Sequence, residues 1–141
     1  MSEKRSKYGN RKFVADGYKW DSEREYVRWL ELCVMQDKGL ISDLKRQVVF
    51  ELIPAIYQDV VVQLKTKTKT KRTTVQRPIT FIIDFTYNDS DGNLIVEDVK
   101  IAPHMLPKEY VLKKKMLRFF HGIELKEYYG KKESGRKSQR A

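Results

Sequence analysis

Two runs of alternating apolar residues lie near the middle of the chain, within Ile79–Ile101, and a polar turn separates them. The first run reads ITFIIDFTY and the second reads NLIVEDVKI, with the polar cluster NDSDG between them. Alternation with a period of two is typical of a half-buried strand, and a glycine-containing turn joins neighbouring antiparallel strands. The stretch therefore predicts a β-hairpin.

The length of the turn decides which residues of the hairpin face each other. A three-residue loop at 90–92 places Asp84 opposite Asp98, whereas a two-residue loop at 91–92 places Asp84 opposite Val99. The second register mixes apolar and acidic side chains on each face. Because a shift by one residue turns every side chain to the other face, we expect the three-residue loop.

In that register one face of the hairpin is apolar apart from Glu97, and the other face is charged. Asp84, Asp98 and Lys100 share the charged face. Two opposed carboxylates repel each other, and Mg²⁺ offsets such repulsion because it accepts one or two carboxylates and keeps several waters. The alternative is a polar face with a salt bridge from Lys100. The apolar face is predicted to contain Phe81, Ile83, Phe85, Tyr87, Ile95, Val99 and Ile101.

A helix is predicted before this hairpin. Ser22 and Glu25 fit a capping box, and the helix is expected to end at about Lys38, before Gly39. Glu25 has two compatible interpretations, as a capping residue and as a third carboxylate at a metal site. The predicted buried stripe of the helix comprises Tyr26, Trp29, Leu30, Cys33 and Val34.

The remaining pattern predicts further strands and a second helix. That helix is expected from Pro107 to His121, with Gly122 ending it. Its predicted inner side comprises Val111, Leu112, Lys115, Met116 and Phe119. The other predictions are a short hairpin at Phe13–Trp20 and strands at Leu44–Ile53, Ile56–Leu64 and Ile123–Tyr128.

Charge changes the picture more than composition does. The 141 residues carry a net charge of +10, which favours a polyanionic partner, most often nucleic acid. Residues 65–72, KTKTKTKR, are predicted to form a mobile hairpin loop that is either a phosphate-contacting finger or only a solvated loop. The sequence has one cysteine, no signal peptide and no apolar run near the roughly 20 residues of a membrane span, so we expect an intracellular protein without membrane contact.

Several short stretches together resemble a family of small phage- and prophage-encoded proteins in the PD-(D/E)xK nuclease superfamily. The similarity covers Lys7 to about Tyr128 and is most specific in the VEDVK sequence that follows an aspartate-bearing strand. The matching stretches are KYGN at Lys7–Asn10, WDSERE at Trp20–Glu25, Asp84–Lys100, LKKK at Leu112–Lys115 and HGIELKE at His121–Glu127.

The resemblance implies an α/β fold with a restriction-endonuclease-like αβββαβ core, in which helices flank a central mixed sheet. It also implies that Asp84, Asp98 and the Val99 carbonyl bind Mg²⁺, for which Mn²⁺ can substitute. Glu25 would complete or tune the site, and Lys100 would be the catalytic lysine. Two departures are Ile101, where the family usually has glycine, and Ile83, where the superfamily's name has proline.

The order of motifs is similar to that of phage endonuclease I enzymes, which resolve Holliday junctions. The resemblance therefore implies a Mg²⁺-dependent homodimer that cuts branched DNA in the cytoplasm of a phage-infected bacterium. The alternatives are a nuclease without junction preference, a non-catalytic DNA-binding module on this fold, and a basic phage structural protein.

The domain prediction has three parts: a flexible basic arm at 1–12, a nuclease domain at 13–128 and a basic, disordered tail at 129–141. Basic residues in the arm, the 65–72 run and the second helix are predicted to contact the DNA backbone rather than to identify bases. The candidate DNA-binding residues are Lys7, Arg11, Lys12, Lys67, Lys69, Lys113, Lys114 and Arg118.

Overall fold

The computed structural model describes residues 13–130, which contain two α-helices and eight strands. The helices are α1 (Glu23–Asp37) and α2 (Lys108–His121), and a 3₁₀ turn covers Pro103–Met105. The strands are β1 (Phe13–Ala15), β2 (Tyr18–Trp20), β3 (Ser42–Ile53), β4 (Ile56–Gln63), β5 (Thr68–Gln76), β6 (Ile79–Asn88), β7 (Leu94–Val99) and β8 (Lys126–Tyr128).

A four-stranded mixed sheet forms the centre of the protein. Its strand order is β3-β6-β7-β8, in which only the β7–β8 pair is parallel. The β1–β2 and β4–β5 hairpins are separate two-stranded sheets. Without those two hairpins the element order is αβββαβ, so the predicted α/β class with a central mixed sheet is confirmed. Neither described helix is long and apolar enough to cross a membrane.

The hydrophobic core consists of two clusters that meet along β6. Phe81 and Ile83 belong to the cluster that α2 covers, whereas Phe85 and Tyr87 belong to the cluster that α1 covers. Asp84 lies at the changeover between them. The α2 cluster also contains Leu52, Val96, Tyr110, Leu117 and Leu125, and the α1 cluster also contains Trp20, Leu32 and Ile41.

The predicted stripe of α1 is partly wrong. Leu30 and Val34 are exposed, and the buried residues of the helix are Glu25, Arg28 and Leu32. Two of those three are charged, because Arg28 pairs with Glu97 of the central hairpin and Glu25 accepts a hydrogen bond from Gln47 on β3. Tyr26 and Trp29 do pack against the α1 cluster as predicted, so hydrophobicity alone missed the charged part of the buried face.

The predicted inner side of α2 is wrong at three positions. Leu112 and Lys115 are exposed, and the Phe119 side chain is 82% exposed. Tyr110 and Leu117 are buried in their place. The helix is turned in this way because Tyr110 packs edge-on against Phe81, at a ring-centroid distance of 5.8 Å.

The largest correction concerns residues 65–72. The loop is confined to Leu64–Lys67, and Thr68 begins β5, which continues through the basic run. Threonine alternates with lysine here, and β-branched threonine favours a strand while exposed lysine stems keep their charges in water. Two smaller corrections follow the same strands: Ile101 is exposed rather than buried, and the last strand begins at Lys126 rather than at Ile123.

The described part of the chain continues just past the predicted domain boundary. The backbone oxygen of Tyr129 accepts a hydrogen bond from Arg24 Nη1 at 2.8 Å, which ties residue 129 to α1. The predicted basic arm at 1–12 and the predicted tail from 131 onward lie outside the described residues.

Candidate functional site

The central hairpin has the register that the three-residue loop predicts. Phe85 pairs with Glu97, and the N–H of Asp89 donates to the Asn93 carbonyl at 2.9 Å. Gly92 has a φ of +81°, a conformation that glycine adopts without strain. One residue further along the same register, Asp84 lies opposite Asp98.

Side-chain hydrogen bonds replace the backbone ladder at the two aspartates. The N–H of Asp84 donates to Asp98 Oδ1 at 3.1 Å, and the N–H of Val99 donates to Asp84 Oδ2 at 2.9 Å. Each carboxylate is therefore fixed by the backbone of the opposite strand. The Asp98 side chain is buried, and Asp84 is half-buried.

Lys100 completes the charged face of the hairpin. Its Nζ lies 2.9 Å from Asp98 Oδ2 and 3.9 Å from the ring centroid of Tyr110 on α2. Its backbone N–H donates to the Tyr128 carbonyl at 2.9 Å, which holds this end of β7 against β8. The Tyr110 hydroxyl oxygen is buried without a hydrogen-bond partner among residues 13–130. The ammonium group is therefore held between a carboxylate and an aromatic face.

Glu25 reaches the same place from the first turn of α1. Its backbone N–H donates to Ser22 Oγ at 3.2 Å, which is the capping interaction that the sequence predicts. Its carboxylate is 4% exposed and accepts a hydrogen bond from Gln47 Nε2 at 3.0 Å. The two interpretations of Glu25 are thus compatible, since the backbone caps the helix while the side chain points toward Asp84.

Gln47 was not identified from the sequence. It lies on β3 between residues paired with Ile83 and Phe85, and its Nε2 also lies 3.5 Å from Asp84 Oδ1. Its φ is +52°, in the left-handed region that costs a residue with a side chain about 1–2 kcal/mol. Backbone strain of this kind is concentrated at functional sites. The amide thus links Glu25 to Asp84.

Burial and mutual repulsion oppose ionisation of this carboxylate cluster, which comprises Glu25, Asp84 and Asp98. Burial raises the pKa of Glu25 to about 7, with the charges of Asp21 and Asp98 adding to the effect. Burial also raises the pKa of Asp84 far above its ordinary value, with further contributions from the charge of Asp98, a hydrogen bond to Asp98 and the charge of Glu25. The cluster therefore gains from a cation that neutralises it.

The cluster fits a metal ion that needs few protein ligands. Among residues 13–130, no group of three or more His, Cys, Asp or Glu side chains forms a ready-made metal cage. A cage is not needed for Mg²⁺, which is commonly held by one or two carboxylates and several waters. Asp84 and Asp98 each provide hard oxygen ligands, and they lie on neighbouring strands. A divalent cation bound between them would relieve the repulsion between the two carboxylates.

The candidate DNA-binding residues are widely distributed. Lys67 precedes β5 and Lys69 lies on it, while Arg118 is exposed on α2. Lys113 pairs with Glu109 at 3.1 Å, Lys114 pairs with Glu127, and both lysines are half-buried. Lys7, Arg11 and Lys12 lie outside the described residues.

Comparison with known proteins gives a family for the chain. No curated protein and no solved structure matches it. One family, described as "Protein of unknown function (DUF1064)", matches residues 5–134, a span that includes the carboxylate cluster, Gln47 and Lys100. This protein is therefore a member of the DUF1064 family.

Proposed function

We propose that the chain is a metal-dependent endonuclease of the PD-(D/E)xK type, which hydrolyses phosphodiester bonds in DNA. The observation that carries the proposal is the convergence of Glu25, Asp84, Asp98 and Lys100, with the carboxylates held close together against their own repulsion. Carboxylates and a lysine in this arrangement can bind a cation and contact a phosphate. Titratable groups whose pKa values are shifted in this way cluster at functional sites.

Asp84 and Asp98 would hold Mg²⁺ or Mn²⁺ together with the Val99 carbonyl, and Glu25 would act beside them. When bound, the ion supplies Lewis-acid polarisation of the phosphate and lowers the pKa of a water molecule. Lys100 is held 2.9 Å from Asp98 and can orient the attacking water and stabilise the negative charge that develops on the phosphate. Gln47 holds Glu25 and Asp84 in position.

The proposed substrate is branched DNA, and the proposed active form is a homodimer in the cytoplasm of a phage-infected bacterium. Support for DNA comes from the net charge of +10 and from basic side chains on the β4–β5 hairpin and α2. Support for junctions comes from the order of motifs, which is similar to that of junction-resolving phage enzymes. Lysine contacts to the DNA backbone carry no sequence information, which fits selection of a substrate by its shape. Two opposed cuts in one junction need two active sites, hence the dimer.

The substrate is tested by comparing a labelled four-way junction with a linear duplex made from the same arm sequences. We expect paired, symmetric nicks in the junction with Mg²⁺, a much slower reaction on the linear duplex, and no cleavage in EDTA. The Asp84→Asn protein, purified in the same way, controls for a contaminating nuclease.

Each alternative gives a different outcome in that experiment. Equal cleavage of both substrates would indicate a nuclease without junction preference. Binding without cleavage under every condition would overturn the enzyme proposal in favour of a DNA-binding module. Neither binding nor cleavage would favour a basic structural protein.

The role of Gln47 is tested with Gln47→Gly. We expect the free energy of unfolding in EDTA to change by no more than about 1 kcal/mol, since glycine relieves the left-handed strain that offsets the lost hydrogen bonds. The affinity for Mg²⁺ should fall by about 10–100-fold, as is usual when a residue that orients metal ligands is removed. Titration calorimetry and denaturant unfolding measure the two quantities.

Asp43→Gly is the matched control for Gln47→Gly. Asp43 is another β3 residue with a positive φ, +55°. Its side chain is exposed, and in the described part of the chain its ion-pair partner is Lys45, at 3.5 Å. Its replacement should leave the Mg²⁺ affinity unchanged. Equal metal affinity in wild type and Gln47→Gly would contradict the positioning role.

A further inference from the structure

The β4–β5 hairpin, residues 56–76, forms a ribbon that pairs with no other strand in the described part of the chain. All of β4 and all but one residue of β5 are exposed. A two-stranded hairpin alone is only marginally stable in water, and three or more strands or a packed helix are usually needed. The ribbon therefore presents two uncovered faces along its whole length.

The strand register gives the ribbon's two faces different chemistry. Val62 pairs with Lys69 and Val60 pairs with Lys71, so these four side chains form one surface, here called the lysine face. The stems of the lysines can cover the valines while their ammonium groups stay outermost. The surface is therefore apolar at its base and positively charged at its tip.

The opposite face of the ribbon differs from the lysine face. Its only aromatic ring is that of Tyr57, and the guanidinium of Arg72 covers it at 3.9 Å from the ring centroid. The other members of that face include threonines and Val61. Tyr57 is half exposed, but it lies on the face opposite the lysines and Arg72 already covers its ring. The lysine face itself has no aromatic ring and therefore offers no platform on which an unpaired base could stack.

The charge of the ribbon calls for an anionic partner. Residues 56–76 contain four lysines and one arginine, against a single aspartate. Like charges at neighbouring positions of a strand pair repel each other and destabilise the pair, and a bound polyanion relieves this repulsion. Evenly spaced ammonium groups fit evenly spaced phosphates.

We propose that the lysine face binds the phosphate backbone of duplex DNA. A two-stranded ribbon fits into or along the major groove, and lysines make phosphate contacts that carry no sequence information. The absence of a stacking platform favours duplex over single-stranded DNA. The identity of the polyanion as DNA rests on the proposed function, but the binding itself needs neither metal nor catalysis.

The position of the ribbon in the chain limits how far the lysine face lies from the carboxylate cluster. The ribbon is inserted between β3, which carries Gln47, and β6, which carries Asp84. Fifteen residues separate Lys69 from Asp84 in the sequence. At roughly 3.3 Å per residue these residues span at most about 50 Å, which is about one and a half helical turns of 34 Å, so one duplex arm can reach from the lysine face to the carboxylate cluster.

The experiment measures DNA binding in EDTA, so that cleavage plays no part. Wild type and Lys69→Gln/Lys71→Gln are titrated with duplexes of about 10 and about 30 base pairs over about 50–200 mM salt. We expect the variant to lower affinity for the long duplex by at least about tenfold and to reduce the slope of log affinity against log salt by about 1.8, which is two phosphate contacts at about 0.9 each. The short duplex can also bind the lysine face, so its salt slope should fall by a similar amount.

Lys19→Gln/Lys38→Gln also removes two positive charges, from exposed positions outside the ribbon, and is the matched control. It should leave the salt slope for the long duplex close to that of wild type. Lys69→Arg/Lys71→Arg retains the charges and should restore binding, which separates loss of contact from loss of ribbon structure.

Three results would overturn the proposal: an unchanged salt slope in Lys69→Gln/Lys71→Gln, an equal loss in the control, or tighter binding of single strands than of duplex. Failure of the proposed nuclease function looks different. A protein that never cleaves but shows the expected salt slopes would retain the lysine face and lose only the enzyme proposal.

Discussion

Asparagine at position 98 should lower the rate of Mg²⁺-dependent DNA cleavage by at least about a thousandfold, since loss of one preorganised electrostatic group alone costs about 10²–10³. Asp98→Asn keeps the shape of the side chain but removes a metal ligand and weakens the contact that holds Lys100 Nζ at 2.9 Å. Both the proposed ion and the proposed catalytic lysine are therefore affected. The measurement is the single-turnover cleavage rate of the preferred DNA substrate.

The same substitution should leave the fold in place. Asp98→Asn removes the charge that helps to raise the pKa of Asp84, and this gain opposes the lost pairing with Lys100. We expect the free energy of unfolding in EDTA to stay within about 1 kcal/mol of wild type, a small change for a buried position. The rise in melting temperature on adding Mg²⁺ should disappear, because the variant binds the ion poorly.

Asp91→Asn is the matched control for Asp98→Asn. Asp91 is exposed in the turn of the same hairpin, and its replacement removes one carboxylate charge without touching the cluster. Its cleavage rate should equal that of wild type. If Asp98→Asn cleaved at the wild-type rate while folded, the carboxylate cluster would not be an active site.

The central hairpin was predictable because its signals are local. Alternating apolar residues set the faces, and Gly92 set the loop, so the register that brings Asp84 opposite Asp98 follows from about twenty consecutive residues. The helix that carries Glu25 was also predictable from its capping residues. The distance between this helix and the hairpin could not be predicted from the sequence.

Gln47 lies outside such local reasoning. Its left-handed backbone and its contacts with Glu25 and Asp84 join three separate elements of the chain. One signal was present: in the strand predicted at Leu44–Ile53, the uncharged polar residue Gln47 lies between the basic residues Lys45 and Arg46 and the apolar run at 48–50. An uncharged polar residue in that position suggests a buried partner but does not identify it.

The faces of the helices were mispredicted for a related reason. Hydrophobicity assigns charged residues to water, but α1 turns Arg28 inward to pair with Glu97 and turns Glu25 inward to accept a hydrogen bond from Gln47. The prediction for 65–72 was wrong for a different reason. Repulsion between lysines was given more weight than the strand propensity of the threonines between them, yet an exposed ribbon keeps those lysines in water.

Breaking the buried ion pair between Arg28 and Glu97 should be among the most destabilising substitutions in the protein. Arg28 Nε and Nη2 each lie 2.8 Å from a Glu97 carboxylate oxygen, and Glu97 is 0% exposed. Tyr87 donates a further hydrogen bond to Glu97 at 3.0 Å, and the Tyr128 ring lies 3.8 Å from the guanidinium. Although burial opposes the charge of Arg28, its hydrogen bonds to Glu97 raise its pKa above the ordinary value.

Arg28→Met should therefore lower the free energy of unfolding by about 3–5 kcal/mol, because it leaves a buried carboxylate without its cation. Glu97→Leu should cost a similar amount by leaving the cation uncompensated. The double variant Arg28→Met/Glu97→Leu should recover much of the loss, since an apolar pair of similar volume avoids the cost of burying two charges. Denaturant unfolding of the four proteins gives the coupling energy directly.

The ion pair between Lys113 and the exposed Glu109 is the comparison that separates the effect of burial from the effect of charge pairing. Its atoms lie 3.1 Å apart, but the Glu109 side chain is 78% exposed, so Glu109→Gln should cost less than about 0.5 kcal/mol. If Arg28→Met cost as little as Glu109→Gln, the ion pair would not be what joins α1 to the central hairpin. A large cost would mean that this pair, one turn along α1 from Glu25, fixes the helix in the orientation that brings the Glu25 carboxylate to Asp84.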